Sequence, residues 1–591
     1  MSETQALPES ILVADCGSTT TKVVLLDTVD SQYRFVAYAE SLSTVHTPWE
    51  DLSVGVADAI RTLQETVGRT LVDQNNQLIT PERPDGSGVD CLLVVSSAAP
   101  PLRLILAGLT RDVSLASARR AALSTYAQIE DVIALEQGLI QGQPRTDDEK
   151  INAIWHKSPD LILLVGGTDG GTTAPVLDMI RNVLRVALYL MGENAPPVIY
   201  AGNAELRDEV TQLLEGLSSL QITDNVRPLP DVENIGPAHE EIEVVFYEQN
   251  MRHLAGMDVL DTWSASAALP TARAADYAVR YCERARESSK PALSVNIGSA
   301  SVTINMCHQQ QPLTTLRSDL GVGHGLASLL EQVQMRDILR WLPFEITETQ
   351  ARDWLMNKLL RASSIPQTPQ ELLLEQAVAR EALRLTLRDS LPGWPGQSGR
   401  PLTENMIPPC DPLVGGGGVL AHAPYHGHAA LVLLDALQPT WISALYLDEF
   451  NLLPSLGMVA TINPLATVQT LHNGGLTFLG TVVAPMGRAQ PGETALTICP
   501  VDKAASARFE VAYGDLEAIP FQFSEPGAML ELTPTRGFDI GLGPGKSVQI
   551  PYAGGTVGLI VDARGRPIEF SSDPRVQRQR VDRWLWEMTS A

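Results

Sequence analysis

The sequence is poor in cysteine and in aromatic residues. It has six cysteines, and no two of them form a Cys-x-x-Cys pair. Scattered thiols of this kind are typical of a reduced cytoplasmic protein and argue against a disulfide framework. Aromatic residues make up 5% of the chain, against 44% for all hydrophobic residues. The cores must therefore be built mainly from Leu, Val, Ile and Ala.

Positive charge and long apolar runs are also scarce. The chain has 43 Lys and Arg against 69 Asp and Glu, a formal net charge of −26. Such a surface repels nucleic acids and anionic membranes, so we expect neither as a partner. No apolar run reaches the ~18 residues of a membrane helix, and the polar N-terminus is unlike a signal peptide. We therefore expect a cytoplasmic protein.

The hydrophobic pattern predicts an α/β fold. Buried-type strands at Ile11–Ala14, Cys91–Val95 and Leu161–Val165 alternate with helical stretches such as Leu115–Ile129. The pattern starts again at Ala292–Ile297. Alternation of this kind is typical of a mainly parallel sheet covered by helices. The restart indicates two related lobes.

The 591 residues are enough for several structural units. We predict a first lobe at 1–265 and a second lobe at 266–456, with a helical insert at about 330–400. Beyond residue 457, short β-type runs are separated by Gly and Pro, which predicts a smaller β-rich domain. That domain ends in an amphipathic helix, Val576–Met588, which we expect Trp584 and Trp586 to anchor.

A Gly- and Thr-rich turn between the first two strands carries the residue types that a polyphosphate needs. Gly17 lets the backbone approach a phosphate closely, and Lys22 can reach back as a point charge. Asp15 ends the first strand, and its carboxylate can hold Mg²⁺ through water. The candidate ligand-binding residues are Gly17, Ser18, Thr19, Thr20 and Lys22, with Asp15 as the candidate metal-binding and catalytic residue.

The second half of the sequence repeats this arrangement. The segment 296–301 resembles the first turn, and the double-glycine loop 415–418 resembles the loop 166–171. A second turn can grip the terminal phosphates from across a cleft, and a Gly-rich loop before a helix can receive adenosine. The further candidate residues are Gly298, Ser299, Ala300, Ser301, Gly415, Gly416, Gly417, Gly418, Gly166, Gly167 and Asp169, with Asn296 as the second candidate catalytic residue.

Each of these turns alone is more often a plain hairpin or tight turn, and Asp169 can simply cap the following helix. Their order and their duplication favour a site for ATP or ADP with Mg²⁺. The sequence resembles the actin/Hsp70/sugar-kinase ATPase superfamily. It resembles more closely the MutL family of glutamate mutase accessory proteins, which is unrelated to the mismatch-repair protein. The stretches that carry the resemblance are ILVADCGSTTTKVVLLD, VVSSAAPPLRLILAGLT, DLILLVGGTDGG, NVRPLPDVENIGPAHEEI and VGGGGVLAHAP.

The resemblance implies duplicated actin-like ATPase lobes and a role beside an adenosylcobalamin-dependent mutase. Proteins of this kind are regarded as ATP-driven chaperones or reactivators that free a damaged cobalamin. The partners implied are the mutase subunits, and a homo-oligomer is compatible with the sequence. Carried onto this chain, Asp15 serves the metal, Lys22 the phosphates, and 415–418 the adenosine.

Two positions depart from the pattern. Superfamily members usually have Asp where this chain has Asn296, and Asn can neither carry negative charge nor accept a proton from water. Pro100 and Pro101 replace expected glycines and offer no N–H groups. The sequence therefore predicts a protein that binds ATP and is at most a weak ATPase. A non-hydrolysing scaffold and a small-molecule kinase remain alternatives, the kinase with Asp169 or Asp319 as its base.

Two further motifs favour structural roles. His422, His426 and His428 follow Cys410 at spacings that match no standard zinc site, so we expect a polar loop. The run 543–547, Gly-Pro-Gly-Lys-Ser, lacks the correctly placed first glycine of a Walker loop, which favours a β-turn.

Overall fold

The strands of this chain form on continuous runs of Ile, Val, Leu and Ala. The computed structural model describes residues 7–75, 77–135, 145–286, 288–394, 406–501, 508–519 and 527–590. The end of the predicted helical insert, from 395 to 400, lies outside these residues. The strands are β1 Ile11–Cys16, β2 Thr20–Val29, β3 Gln32–Leu42, β4 Cys91–Ser96, β5 Leu102–Gly108, β6 Ala127–Ala134, β7 Leu161–Leu164, β8 Val198–Tyr200, β9 Leu220–Ile222, β10 Leu269–Pro270, β11 Ala292–Ile297, β12 Val302–His308, β13 Gln311–Arg317, β14 Leu413–Gly416, β15 Trp441–Asp448, β16 Thr477–Ala484, β17 Met486–Gly487, β18 Thr494–Pro500, β19 Phe509–Ala512, β20 Leu516–Ile519, β21 Met529–Pro534, β22 Phe538–Asp539, β23 Val548–Pro551 and β24 Gly558–Asp562.

The α-helices cover most of the remaining regular structure. They are α1 Leu52–Val67, α2 Ser114–Ala122, α3 Asp147–Lys157, α4 Ala174–Met179, α5 Arg185–Met191, α6 Arg207–Leu214, α7 Gly236–Phe246, α8 Met257–Trp263, α9 Thr271–Arg284, α10 Leu326–Gln332, α11 Met335–Leu339, α12 Glu348–Leu360, α13 Pro369–Ser390, α14 Gly418–Ala421, α15 His426–Leu437, α16 Leu452–Ala460, α17 Pro464–His472 and α18 Pro574–Thr589. None of the helices in the described ranges is long and apolar enough to cross a membrane.

Two sheets are built on the same plan. In the first sheet, of order β10-β4-β1-β2-β3, strand β1 pairs antiparallel with β2 and parallel with β4. In the second, of order β13-β12-β11-β14-β15-β16-β24-β20, strand β11 pairs antiparallel with β12 and parallel with β14. Strands β1 and β4 are buried along their whole length, as expected for sheets covered on both faces. The predicted α/β fold with a duplicated sheet plan and a β-rich C-terminal region is confirmed.

The described residues fall into two compact units. Apart from the end of β13, both sheets lie in the first unit, which comprises Met1–Ser97, Val259–Thr314 and Asp319–Ala591. The second unit comprises Ala98–Asp258 and Thr315–Ser318. It contains a parallel sheet of order β6-β5-β7-β8-β9 around its own apolar core.

Helices α9 and α16 are in close contact within the first unit. A Cβ atom on Gly457 of α16 would lie 1.7 Å from the carbonyl oxygen of Ala274 on α9. Only glycine permits this approach of the two backbones. Helix α9 begins at Thr271 directly after β10, and α16 begins at Leu452 after a short connection from β15.

The predicted helix Leu115–Ile129 is wrong in its second half. Helix α2 ends at Ala122, and the chain continues as β6, which pairs parallel with β5. Because Ile129, Val132 and Ile133 suit a strand as well as a helix, the available partner strand decides.

The C-terminal β-rich region does not form a sheet of its own throughout. Strands β16, β20 and β24 extend the second sheet, while β18, β19, β21 and β23 form a separate four-stranded sheet. The predicted boundaries at 265 and 456 stay predictions, although the second sheet runs across residue 456. In α18, Trp584 is buried and Trp586 is 69% exposed, so Trp586 is not an anchor.

Candidate functional site

The first predicted phosphate loop is the tight connection between β1 and β2. Asp15 pairs directly with Lys22 across the two strands, so both side chains lie on the same face. The N–H of Gly17 donates to the carbonyl oxygen of Thr20 at 3.0 Å. A Cβ atom on Gly17 would come within 2.8 Å of that same oxygen, which explains the glycine. Ser18 and Thr19 form the tip of the turn.

The second loop, between β11 and β12, repeats this geometry. Asn296 pairs with Thr303 as Asp15 pairs with Lys22. The N–H of Gly298 donates to the carbonyl oxygen of Ser301 at 2.9 Å. The weak sequence repeat therefore corresponds to the same hairpin at the same position of two related sheets. The difference lies in the chemistry, because an amide and a hydroxyl replace the carboxylate and the ammonium group.

One side chain joins the two hairpins. The Asn451 amide nitrogen donates to Asp15 Oδ2 at 2.5 Å, and the Asn296 amide nitrogen donates to Asn451 Oδ1 at 2.8 Å. The Thr271 hydroxyl donates to Asp15 Oδ1 at 3.1 Å. The predicted residues Asp15 and Asn296 therefore share one polar centre. We call the two hydrogen bonds that Asn451 makes to them the Asn451 bridge.

The glycine-rich loop 415–418 lies beside the second hairpin. Gly416 pairs with both Asn296 and Asp448 in neighbouring strands. Gly417 has a φ of 94°, and a Cβ atom there would lie 2.3 Å from the carbonyl oxygen of Ile297. The chain turns at this point into α14, so a helix N-terminus adjoins the centre.

Two buried carboxylates face this centre. Burial raises the pKa of Asp448 to about 6, against the opposing effects of the Leu453 and Leu452 N–H groups and of Lys22. Burial also raises the pKa of Asp15, while Lys22, Thr271 and Asn451 act to lower it. Removing carboxylates from water disfavours their charged form. A bound cation would restore that charge.

The donor atoms fit Mg²⁺ held through water. Carboxylate, amide and hydroxyl oxygens are its preferred protein ligands, and it keeps much of its hydration shell. Both oxygens of Asp15 already accept hydrogen bonds, and a water ligand of the metal can use their remaining lone pairs. Within the described ranges, no group of three or more His, Cys, Asp or Glu is arranged to hold a metal directly.

Sequence reasoning missed a third glycine-rich loop, 321–325, which supports the second hairpin. The N–H groups of Gly323 and Gly325 both donate to the Ser299 carbonyl oxygen, at 2.9 and 3.0 Å. The His324 N–H donates to Ser299 Oγ at 3.3 Å. The alternating glycines of Gly-Val-Gly-His-Gly, shortly after β13, were the available signal.

The predicted residues Gly166, Gly167 and Asp169 belong to the second compact unit. Asp169 Oδ1 accepts hydrogen bonds from the Ala204 N–H and from the Asn225 amide, both at 2.9 Å. The carboxylate thus holds the start of the helical turn at Ala204, and not the helix that follows its own loop.

The histidine cluster and the lysine-containing turn have structural contacts. His426 Nδ1 lies 2.8 Å from the Thr556 hydroxyl. His428 is buried, and burial together with Arg380 lowers its pKa to about 4. In the segment before Lys546, Asp539 Oδ1 accepts the N–H groups of Gly541 and Gly543 at 2.7 and 2.9 Å, which forms a turn between β22 and β23.

Comparison with solved structures finds low-scoring similarities. The activator of the 2-hydroxyisocaproyl-CoA dehydratase from Clostridium difficile, solved with bound ADPNP, is 8% identical with a TM-score of 0.30. The match covers 78% of this chain and 96% of that one. The xylulose kinase from Bifidobacterium adolescentis is 12% identical with a TM-score of 0.26, covering 80% and 96%. Scores at this level carry no inference about ligand or activity.

Sequence comparison is more informative. Protein MutL of Clostridium tetanomorphum is 23% identical over 504 residues, which is 78% of this chain and 98% of the relative. The family described as MutL protein matches residues 11–474. This span includes both hairpins, the Gly415–Gly418 loop and Asn451. The resemblance seen in the motifs is confirmed, and the chain belongs to the MutL protein family.

Proposed function

We propose that this protein binds ATP and ADP with Mg²⁺ between its two related hairpins. The observation that carries the proposal is the Asn451 bridge, which places the Asp15 and Asn296 hairpins around one polar centre. An anionic polyphosphate would receive backbone N–H groups and hydroxyls from both turns, and the charge of Lys22. These are the groups that bind phosphate well.

Each candidate residue has a defined task in this proposal. The turns 17–20 and 298–301 hold the phosphates, and the helix N-terminus after Gly417 adjoins the adenosine. Asp15 positions Mg²⁺ through water, and the metal supplies charge neutralisation on the phosphate oxygens. Asn296 cannot accept a proton from an attacking water. Hydrolysis is therefore slow, because the loss of a general base typically costs about 10²–10⁴-fold in rate.

The biological role that we propose is an ATP-binding accessory protein for an adenosylcobalamin-dependent mutase of the glutamate mutase type. Family membership and the motif resemblance support it. A radical enzyme that loses its adenosyl group retains an inactive cobalamin, and releasing it requires a stable interface to open. A nucleotide cleft can drive this if ATP and ADP favour different closures of the two lobes.

Calorimetric titration with Mg-ATP and Mg-ADP tests the site. We expect micromolar binding that Lys22→Ala weakens by about 10-fold or more, because a charge-assisted hydrogen bond contributes about 1.5–3 kcal/mol. Lys546→Ala is the matched control, since Lys546 also follows glycines but lies in an exposed turn. Equal binding by wild type and Lys22→Ala, or a loss only in Lys546→Ala, would refute the assignment.

Co-purification tests the partner. A tagged form of this protein is incubated with the adenosylcobalamin-dependent mutase of the same cell, with ATP, with ADP and without nucleotide. We expect the amount of mutase retained to differ between ATP and ADP. Retention that is zero in all three conditions would reject the accessory role.

A non-hydrolysing scaffold is the second candidate function, and the hydrogen bond from Asn296 to Asn451 favours it. The discriminating measurement is phosphate release. Tight nucleotide binding without turnover above background, with the mutase present, identifies the scaffold. Turnover stimulated by the mutase identifies an ATPase.

A further inference from the structure

Asn451 precedes the first turn of α16, but its side chain does not cap that helix. It adopts a left-handed backbone conformation, with φ 54° and ψ 43°, at the start of α16. Asn tolerates this conformation better than most residues. The first free N–H groups of α16, from Leu452 and Leu453, donate to the Asp448 carboxylate at 2.6 and 2.9 Å. The helix start is thus already satisfied, and the Asn451 amide is left for the site.

The chemistry of the neighbours fixes the orientation of both amides. The NH₂ group of Asn451 donates to Asp15 Oδ2 and its carbonyl oxygen accepts from Asn296, an orientation that leaves Asp15 as an acceptor, the only role open to an ionised carboxylate. Its carbonyl oxygen then faces position 296, which must supply a donor. Asn296 supplies one, and Asp in the ionised form could not. In this orientation the carbonyl oxygen of Asn451 accepts from an amide at position 296 but cannot bind an ionised carboxylate there.

We propose that Asn451 is a positioning residue of the nucleotide site, which holds Asp15 and residue 296 together and makes the centre specific for one carboxylate and one amide. Superfamily members usually have Asp at the position of Asn296. The Asn found here can donate to the carbonyl oxygen of Asn451, which an ionised Asp could not. The part of this proposal that concerns ligand affinity rests on the proposed function. The part that concerns the bridge does not, because side chains of this chain alone form it.

The bridge is tested by melting variants with and without divalent cation. Asn451→Asp places a second carboxylate against Asp15. We expect the unfolding midpoint in EDTA to fall by roughly 4 °C or more, and Mg²⁺ to restore most of that loss. Asn463→Asp is the matched control, because Asn463 is also buried and its Oδ1 accepts the Ala466 N–H at the start of α17. Any change in the control should be the same in EDTA and in Mg²⁺.

The positioning role is tested by calorimetry on Asn451→Gly. Glycine keeps the left-handed backbone and removes only the amide. We expect Mg-ADP affinity to fall about 10-fold, with the fold retained by circular dichroism. Asn296→Asp should lower the midpoint in EDTA in the same cation-dependent way as Asn451→Asp.

Three results would overturn the proposal. They are a wild-type midpoint for Asn451→Asp in EDTA, a loss that Mg²⁺ does not change, or wild-type Mg-ADP affinity in Asn451→Gly. If wild-type protein binds no nucleotide, the proposed function fails. The melting comparison still decides on the bridge, so the two failures are distinguishable.

Discussion

Asp448 is a residue whose charge the fold controls. It is 1% exposed, and burial raises its pKa to about 6 from the usual 3.8. Because the folded-state pKa lies above the unfolded value, the native protein binds more protons between pH 4 and pH 6. The stability that this residue contributes is therefore fully present at low pH and is lost as the pH rises to about 6.

The variant Asp448→Asn should remove this pH dependence. A shift of about two pKa units corresponds to about 3 kcal/mol. We expect the free energy of unfolding of the variant, relative to wild type, to rise by up to that amount between pH 4 and pH 7. Urea unfolding at a series of pH values measures it. A difference that is constant over this range would show that Asp448 is ionised throughout.

At the residue scale, the sequence predicts which residues belong to the site better than it predicts which of them are in contact. Asp15, Gly17, Asn296 and Gly298 could be aligned because each hairpin is local and leaves a repeated pattern. Asn451 could not be found, because it lies 436 positions from the Asp15 that it contacts. No local spacing records such a pair, and Asn at a helix start is ordinarily just a cap.

Among the elements, the loop 321–325 packs closely against the second hairpin of the site. A Cβ atom on Gly321 would lie 2.3 Å from the Ser299 carbonyl oxygen and 2.9 Å from the Ala300 nitrogen. Such a contact is with backbone and cannot be relieved by a rotamer change. The loop and the second hairpin must therefore move apart if any side chain is added.

We expect Gly321→Ala to weaken both the fold and the site. Overpacking of this kind typically costs about 1–3 kcal/mol, and the displaced hairpin should also lose nucleotide affinity. Gly236→Ala is the matched control, because a Cβ atom there meets nothing within 4 Å. Thermal melting and Mg-ADP titration measure the two effects. A wild-type midpoint and affinity for Gly321→Ala would mean that the loop adjusts freely and does not support Ser299.

The strands that were predicted correctly share one property. Strands β4, β7 and β11 are mainly apolar and largely buried, and each has a parallel neighbour, so local composition alone identifies them. Strand β6 is not recognisable from composition, because only three of its eight residues are buried. These are Ala127 at its start, and Ile133 and Ala134 at its end. A half-exposed run with helical spacing acquires its identity from its partner strand, which the sequence does not show.

At the scale of the whole molecule, the C-terminal region is tied to helices α13 and α15 by a buried ion network. Arg564 makes two hydrogen bonds to Asp562 at 2.8 Å each and one to Asp435 on α15 at 2.6 Å. Arg380, on α13 of the helical insert, also binds Asp435 at 2.7 Å. Burial alone would raise the pKa of Asp562, but Arg564 and Arg566 hold it well below its usual value. The network connects segments on both sides of residue 474, where the family match ends.

This network predicts that the C-terminal region is required for folding of the second lobe. Arg564→Ala leaves Asp562 and Asp435 buried with a partner removed, a change that typically costs about 3–5 kcal/mol. Arg508→Ala should cost less than about 0.5 kcal/mol, because its pair with Glu510 is exposed. Urea unfolding measures both.

Truncation after residue 474 should give insoluble protein, because it removes β16, β20 and β24 and uncovers both the edge of β15 and the buried faces of α15. A soluble, nucleotide-binding fragment 1–474 would show instead that the lobe closes without these strands, and the extension would then be an addition to a self-sufficient fold.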